Sequence, residues 1–164
     1  MKGLTSFLDR LSNIGAYLSG AMMIAGLSLV LIEILIRGLF VKTLYITEEY
    51  TGYLMAGVTY FALGYTLKED GHIRMTFLLH VLSSRKRVFL EITCLAIGFL
   101  FSVVLTYLTF GLFWDSLITG TKAMSISETP LAIPHSLLPI GSLIMSLQFV
   151  SELIKKFIAL KDLS

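Results

Sequence analysis

The sequence predicts an all-α integral membrane protein with four transmembrane helices and a short amphipathic interfacial helix between the second and third. Three observations predict it. Of 164 residues, 55% are hydrophobic and only 15% charged, where a water-soluble domain carries about a quarter charged residues. Four apolar stretches each approach the roughly 20 residues that a helix needs to cross a bilayer. The basic residues fall almost entirely on alternate connections between those stretches. The same figures exclude other classes. Disorder needs low hydrophobicity and high net charge. A net charge of +2 with no basic face does not suit a nucleic-acid binder, and a single cysteine, Cys94, makes no disulfide framework. Barrel strands would alternate apolar and polar residues over about ten positions, and these runs do not. The whole chain, 1–164, reads as a single membrane domain.

The first run, Ile14–Ile36, is interrupted only by Glu33; the second, Tyr50–Leu67, and the third, Ile92–Trp114, carry no charge. The fourth, Leu131–Val150, has Pro134, His135 and Pro139 crowding its start. Proline suits the first turn of a helix and disrupts later ones, so this helix is expected to begin near Ser136. The spans are placed at about 14–40, 48–67, 86–118 and 136–158. The N-terminal run is longer than the apolar part of a signal peptide and no small-x-small cleavage site follows, so it is expected to remain as a span.

Orientation follows from the basic residues. Lys2, Arg10, Lys68, Arg74, Arg85, Lys86, Arg87, Lys155, Lys156 and Lys161 lie on one side, and Arg37, Lys42 and Lys122 on the other. Both termini are therefore expected in the cytoplasm, with the Lys42 and Lys122 loops outside.

The polar segments carry the remaining signals. Thr47-Glu48-Glu49 precedes the second span. A threonine followed by two acids makes a good helix start, because the hydroxyl caps free N–H groups and the acids favour the positive end of the dipole. The alternative is a docking contact for another protein. Between Lys68 and Arg87, the spacing of Phe77, Leu78, Val81 and Leu82 fits a short helix lying in the interface over about 74–83. An ordinary basic loop is the other reading. Arg87 and Glu91, four apart, can pair. Thr129-Pro130-Leu131-Ala132-Ile133-Pro134 reads as an extended, stiff connector, and Trp114 before it as an interfacial anchor.

Little in the chain points to chemistry. Glu33 is the one acid well inside a span, which makes it a functional candidate by default. Arg37 lies four residues on, so a structural ion pair or a protein contact competes with a proton or cation site. Gln148 is placed to hydrogen-bond across helices. His72, His80 and His135 have neither the spacing of a metal site nor that of a pair of haem ligands. There is no nucleophile elbow or phosphate-binding glycine loop, and Cys94 reads as packing. No enzyme activity and no cofactor are expected. Ala16/Gly20, Gly52/Ala56 and Gly98/Ser102 have small-xxx-small spacing, with Gly57 and Gly64 as a further stripe, and such residues let helices approach closely.

In order along the chain come Arg37 and Phe40, Thr47-Glu48-Glu49, Gly64, Gly71-His72-Ile73-Arg74, Thr129-Pro130-Leu131, Pro134, Pro139-Ile140-Gly141 and Gln148. This ordered set resembles the small, Q-type membrane subunit of tripartite ATP-independent periplasmic (TRAP) transporters. The resemblance implies a hetero-complex in which a periplasmic binding protein delivers an organic acid anion. A large membrane subunit then moves it with sodium, and the small subunit braces the large one. Substrate and sodium sites would lie in the large subunit. It also implies that Arg37, Glu48, Glu49, His72, Arg74, Thr129, Pro130, Pro134, Pro139 and Gly141 are candidates for subunit or docking contacts, to which Glu33 is added as the acid inside the first span. Two other readings stand beside it: a small multidrug-type proton-coupled exporter using Glu33, and an orphan membrane adaptor.

Overall fold

The computed structural model describes residues 2–69 and 84–162, and the described residues form four helices. They are α1 (Lys2–Phe40), α2 (Thr47–Lys68), α3 (Ser84–Thr119) and α4 (Ala132–Asp162). Each expected span lies within one of them. At 1.5 Å rise per residue, the 39 residues of α1 and the 36 of α3 extend roughly 58 and 54 Å, well beyond a bilayer core of about 30 Å. The expected interfacial helix at 74–83, with Gly71, His72, Arg74 and His80, lies outside the described residues, as does the Arg87 side chain expected to pair with Glu91.

Helix α4 is the hub: α1, α2 and α3 all pack on it, α1 and α2 also pack on each other, and α3 packs extensively on α4 alone. Burial follows that order. Just over half (56%) of the most apolar window of α4 is buried, against 17% for α1 and 11% for α3. These three helices are long and apolar enough to cross a membrane, whereas α2 is not among them.

The distribution of side chains inverts that of a soluble protein. Fully buried residues include Ser12, Ser102, Ser142, Ser151 and Gln148, while Tyr17, Leu39, Tyr107 and Ile118 are largely exposed. A contiguous apolar surface of this kind needs a membrane or a protein to cover it. The apolar core is small: Met145 and Phe149 of α4 meet Leu67 of α2 and Leu95 of α3. Close packing elsewhere depends on glycine. A Cβ on Gly141 would lie 2.6 Å from the Tyr60 carbonyl, and one on Gly15 2.8 Å from the Phe61 oxygen. Of the small-residue stripes, Gly57, Gly64 and Gly98 are packed against neighbouring helices, whereas Gly20 and Gly52 face open space.

Three local expectations need correction. Helix α4 starts at Ala132, not near Ser136, so Pro134 occupies its first turn and Pro139 lies inside it. The connector is therefore extended only as far as Leu131. Pro139 has no N–H to give the His135 carbonyl one turn before it, a loss tolerated in packed bundles because neighbouring groups can satisfy the freed carbonyl. Thr47 does not cap α2, because Ile46 holds the cap position without a side-chain bond. Cys94 is exposed on α3 and does not pack inside.

Candidate functional site

The buried acids lie at the two ends of the bundle, and buried hydroxyls run between them. At the end expected outside, Glu33 accepts from Arg37 NH2 (2.9 Å), from the Leu44 N–H (2.8 Å) and from Thr47 Oγ1 (3.2 Å). The helix period places Arg37 one turn beyond Glu33, and the short loop folds back to supply the other two donors. Glu33 is thus a junction that fixes the start of α2 to the end of α1. It is buried, whereas the Arg37 side chain is 64% exposed.

Glu49 plays the matching part for the loop between α3 and α4. Tyr53 Oη donates to one carboxylate oxygen (2.7 Å), and Ser125 and Ser127 (2.6 Å) donate to the other. Thr129 Oγ1 reaches Tyr50 Oη (3.3 Å). The loop is closed by backbone bonds from Ala123 to Thr129 and from Leu131 to Thr121. Its alternation turns Ser125 and Ser127 toward Glu49 and leaves Met124 and Ile126 outward and exposed. Glu48, next in sequence, remains exposed. Between α3 and α4, Ser116 Oγ lies 2.6 Å from His135 Nδ1. The hydroxyl pairs Thr109–Ser142 and Thr106–Ser146, each at 3.2 Å, continue that seam.

The other end is an ionic clamp. Gln148 accepts from Ser12 Oγ (2.7 Å) and donates through Nε2 to Asp9 (3.0 Å) and Glu152 (3.1 Å). Lys155 bridges the same two carboxylates at 3.0 and 2.8 Å. Lys156 pairs with Glu91 of α3, and Lys68 of α2 donates to Asn13 of α1 (2.9 Å). Every helix is therefore tied to a neighbour by a polar contact at this end. Buried carboxylates need such partners, since an unpaired charge away from water is costly.

Of the candidate contact residues, Arg37, Glu48 and Pro130 are exposed, while Glu33, Thr129, Pro134, Pro139 and Gly141 are buried and Glu49 is half-buried. Pro134, Pro139 and Gly141 serve the packing of α4. His72 and Arg74 lie outside the described residues. Gln148 was legible in the sequence as an interhelical donor. Asp9, Ser12 and His135 were not, because the first two precede the expected first span and the third precedes the expected last one. Among the described residues no group of three or more His, Cys, Asp and Glu side chains is arranged to hold a metal ion. A groove of about 600 Å³ between α3 and α4 is lined mainly by apolar side chains, including Tyr107, Phe110 and Leu143. This arrangement is suited to holding helices in register.

No curated protein matches the chain. The model of the family described as "Tripartite ATP-independent periplasmic transporters, DctQ component" matches residues 22–159. That stretch contains the Glu33 junction, the α1–α2 and α3–α4 loops, Gln148 and most of the clamp on α4, and so the chain belongs to the DctQ component family, the small permease component of TRAP transporters.

Proposed function

We propose that this chain is a non-enzymatic brace: the small permease subunit that holds the large transport subunit in the bacterial inner membrane. All four described helices cross the bilayer, with both termini cytoplasmic. The assembled transporter takes up an organic acid anion delivered by a periplasmic binding protein and driven by sodium. The observation that carries this reading is the paired clamping of the bundle. Glu33 and Glu49 at one end, and Asp9 and Glu152 at the other, are all engaged by groups of the same chain. Carboxylates engaged in this way stiffen a scaffold and are poorly placed to bind a passing solute.

The exporter reading requires Glu33 to exchange protons with water and with a substrate. Its two oxygens accept from Arg37, Leu44 and Thr47, which favours the junction role.

The test is uptake in proteoliposomes. The large subunit and binding protein with this chain are expected to take up an organic acid anion down a sodium gradient. Omitting this chain should abolish most of the uptake, and the chain alone should pass none. Solute flux through the chain alone overturns the reading.

A further inference from the structure

We propose that the surface of this chain that meets lipid acyl chains is an oblique belt, so that the bundle leans about 30° in the bilayer with its α3 side displaced toward the cytoplasm. The inference rests on the four-span reading above, with both termini cytoplasmic. A helix can run through acyl chains only between its bounding charges, because a charge at bilayer depth is costly. On α1 these are Arg10 and Glu33, and on α3 they are Glu91 and Asp115. Between them the exposed side chains are apolar, with Ile24 and Leu27 on α1 and Val104 and Leu108 on α3 among them.

Helix α4 packs on both α1 and α3 and so serves as their common ruler. At the inner end, Asp9, next to Arg10, meets Gln148 and Ser151, whereas Glu91 meets Lys156. The packing of Gly98 on Phe149, one step of seven residues away on each helix, keeps the same register. The inner boundary thus lies about 8–12 Å further along α4 on the α3 side. At the outer end, Met22 of α1 and Leu137 of α4 both pack at Gly57 of α2 and share a level. Glu33 stands about 16 Å above that level. Asp115 stands only about 3 Å above it, because its neighbour Ser116 meets His135. The outer boundary is therefore about 13 Å higher on the α1 side.

Both boundaries are offset in the same sense and by similar amounts. Packed helix axes lie about 8–10 Å apart, so α1 and α3, on either side of α4, are separated by about 16–20 Å. An offset of about 11 Å across that width is an inclination of about 30°. The helix lengths lead to the same angle independently. From Arg10 to Glu33 and from Glu91 to Asp115 the helices run roughly 34 and 36 Å, and at that lean they rise through about 30 Å, the thickness of the hydrocarbon core. An upright bundle would draw Arg10 or Asp115, both exposed, into the acyl layer.

The experiment measures depth by nitroxide spin labels in the full chain reconstituted in phosphatidylethanolamine–phosphatidylglycerol liposomes. Labels are attached to Ile14→Cys, Met23→Cys, Val104→Cys and Trp114→Cys, each with Cys94→Ser, and depth is read from relaxation by oxygen against a water-soluble nickel chelate. All four positions are exposed. Met23 and Trp114 share nearly one level of the bundle, as do Ile14 and Val104. In the leaning bundle Met23 and Val104 are expected near the midplane, and Ile14 and Trp114 near opposite interfaces. Equal depths within each level pair overturn the lean and leave the four-span reading intact. Labels open to the nickel chelate at all four positions overturn both. Polarised infrared spectroscopy of the unlabelled chain in oriented bilayers is an independent check: a mean helix tilt of about 30° is expected, and one below about 15° overturns the proposal.

Discussion

The carboxylate of Glu33 accepts the backbone N–H of Leu44 at 2.8 Å across eleven residues, so a side chain inside the first apolar run sets where the second helix begins. The same carboxylate holds Thr47, the first residue of α2. Replacing Glu33 with alanine leaves both donors without their charged acceptor, which destabilises the junction. Glu33→Gln keeps a carbonyl oxygen and loses mainly the pairing with Arg37. An ion pair with so exposed a partner contributes about 1 kcal/mol or less. Thermal unfolding of the detergent-purified complex is therefore expected to rank wild type above Glu33→Gln and Glu33→Gln above Glu33→Ala. Sodium-driven uptake should persist in Glu33→Gln, and its complete loss would mean that Glu33 carries protons and does not act as a structural junction.

Glu48 and Glu49 are adjacent in sequence and opposite in role. Glu49 holds Tyr53, Ser125 and Ser127, whereas Glu48 is exposed. Glu49→Ala should release the loop spanning residues 120–131 from α2, because its hydroxyl donors lose their charged acceptor. Hydrogen exchange of a peptide covering that loop is expected to accelerate by about tenfold or more, since about 1.4 kcal/mol corresponds to a factor of ten. Glu48→Ala should leave the exchange of this loop near wild type, because surface changes away from such contacts stay within about 0.5 kcal/mol. Equal acceleration in the two variants would contradict the division of labour.

This pair also shows what the sequence can and cannot reveal. The four helices are legible because apolar runs of span length leave few alternatives. The Glu33–Arg37 pair is legible because it follows the helix period. The partners of Glu49 lie 76 and 78 residues away and depend on how the α3–α4 loop folds back over α2, which no local pattern encodes. The clamp between Asp9 and Lys155 spans 146 residues for the same reason. The ordered loop motifs were legible as a family resemblance, yet Pro134, Pro139 and Gly141 among them turn out to pack α4. A proline near a helix start looks the same in sequence whether it precedes the helix or sits within it, and the packing of α4 against its neighbours decides which.

The small-residue stripes follow the same logic and lead to a direct test. Small-xxx-small spacing marks Ala16/Gly20 as readily as Gly98/Ser102, but rotation of each helix about its axis selects which stripe meets a neighbour. A Cβ on Gly141 would lie 2.6 Å from both the carbonyl carbon and the oxygen of Tyr60. These are backbone atoms that cannot turn aside, so α2 and α4 must separate. Overpacking of this kind costs about 1–3 kcal/mol, and Gly141→Ala is expected to lower the unfolding temperature of the purified chain. Gly20 faces open space within this chain. Alanine exceeds glycine in helix propensity by about 0.8–1.0 kcal/mol, so Gly20→Ala should unfold at the wild-type temperature or slightly above it. If Gly141→Ala unfolds no earlier than Gly20→Ala, the close crossing of α2 and α4 at Tyr60 is not part of the native bundle.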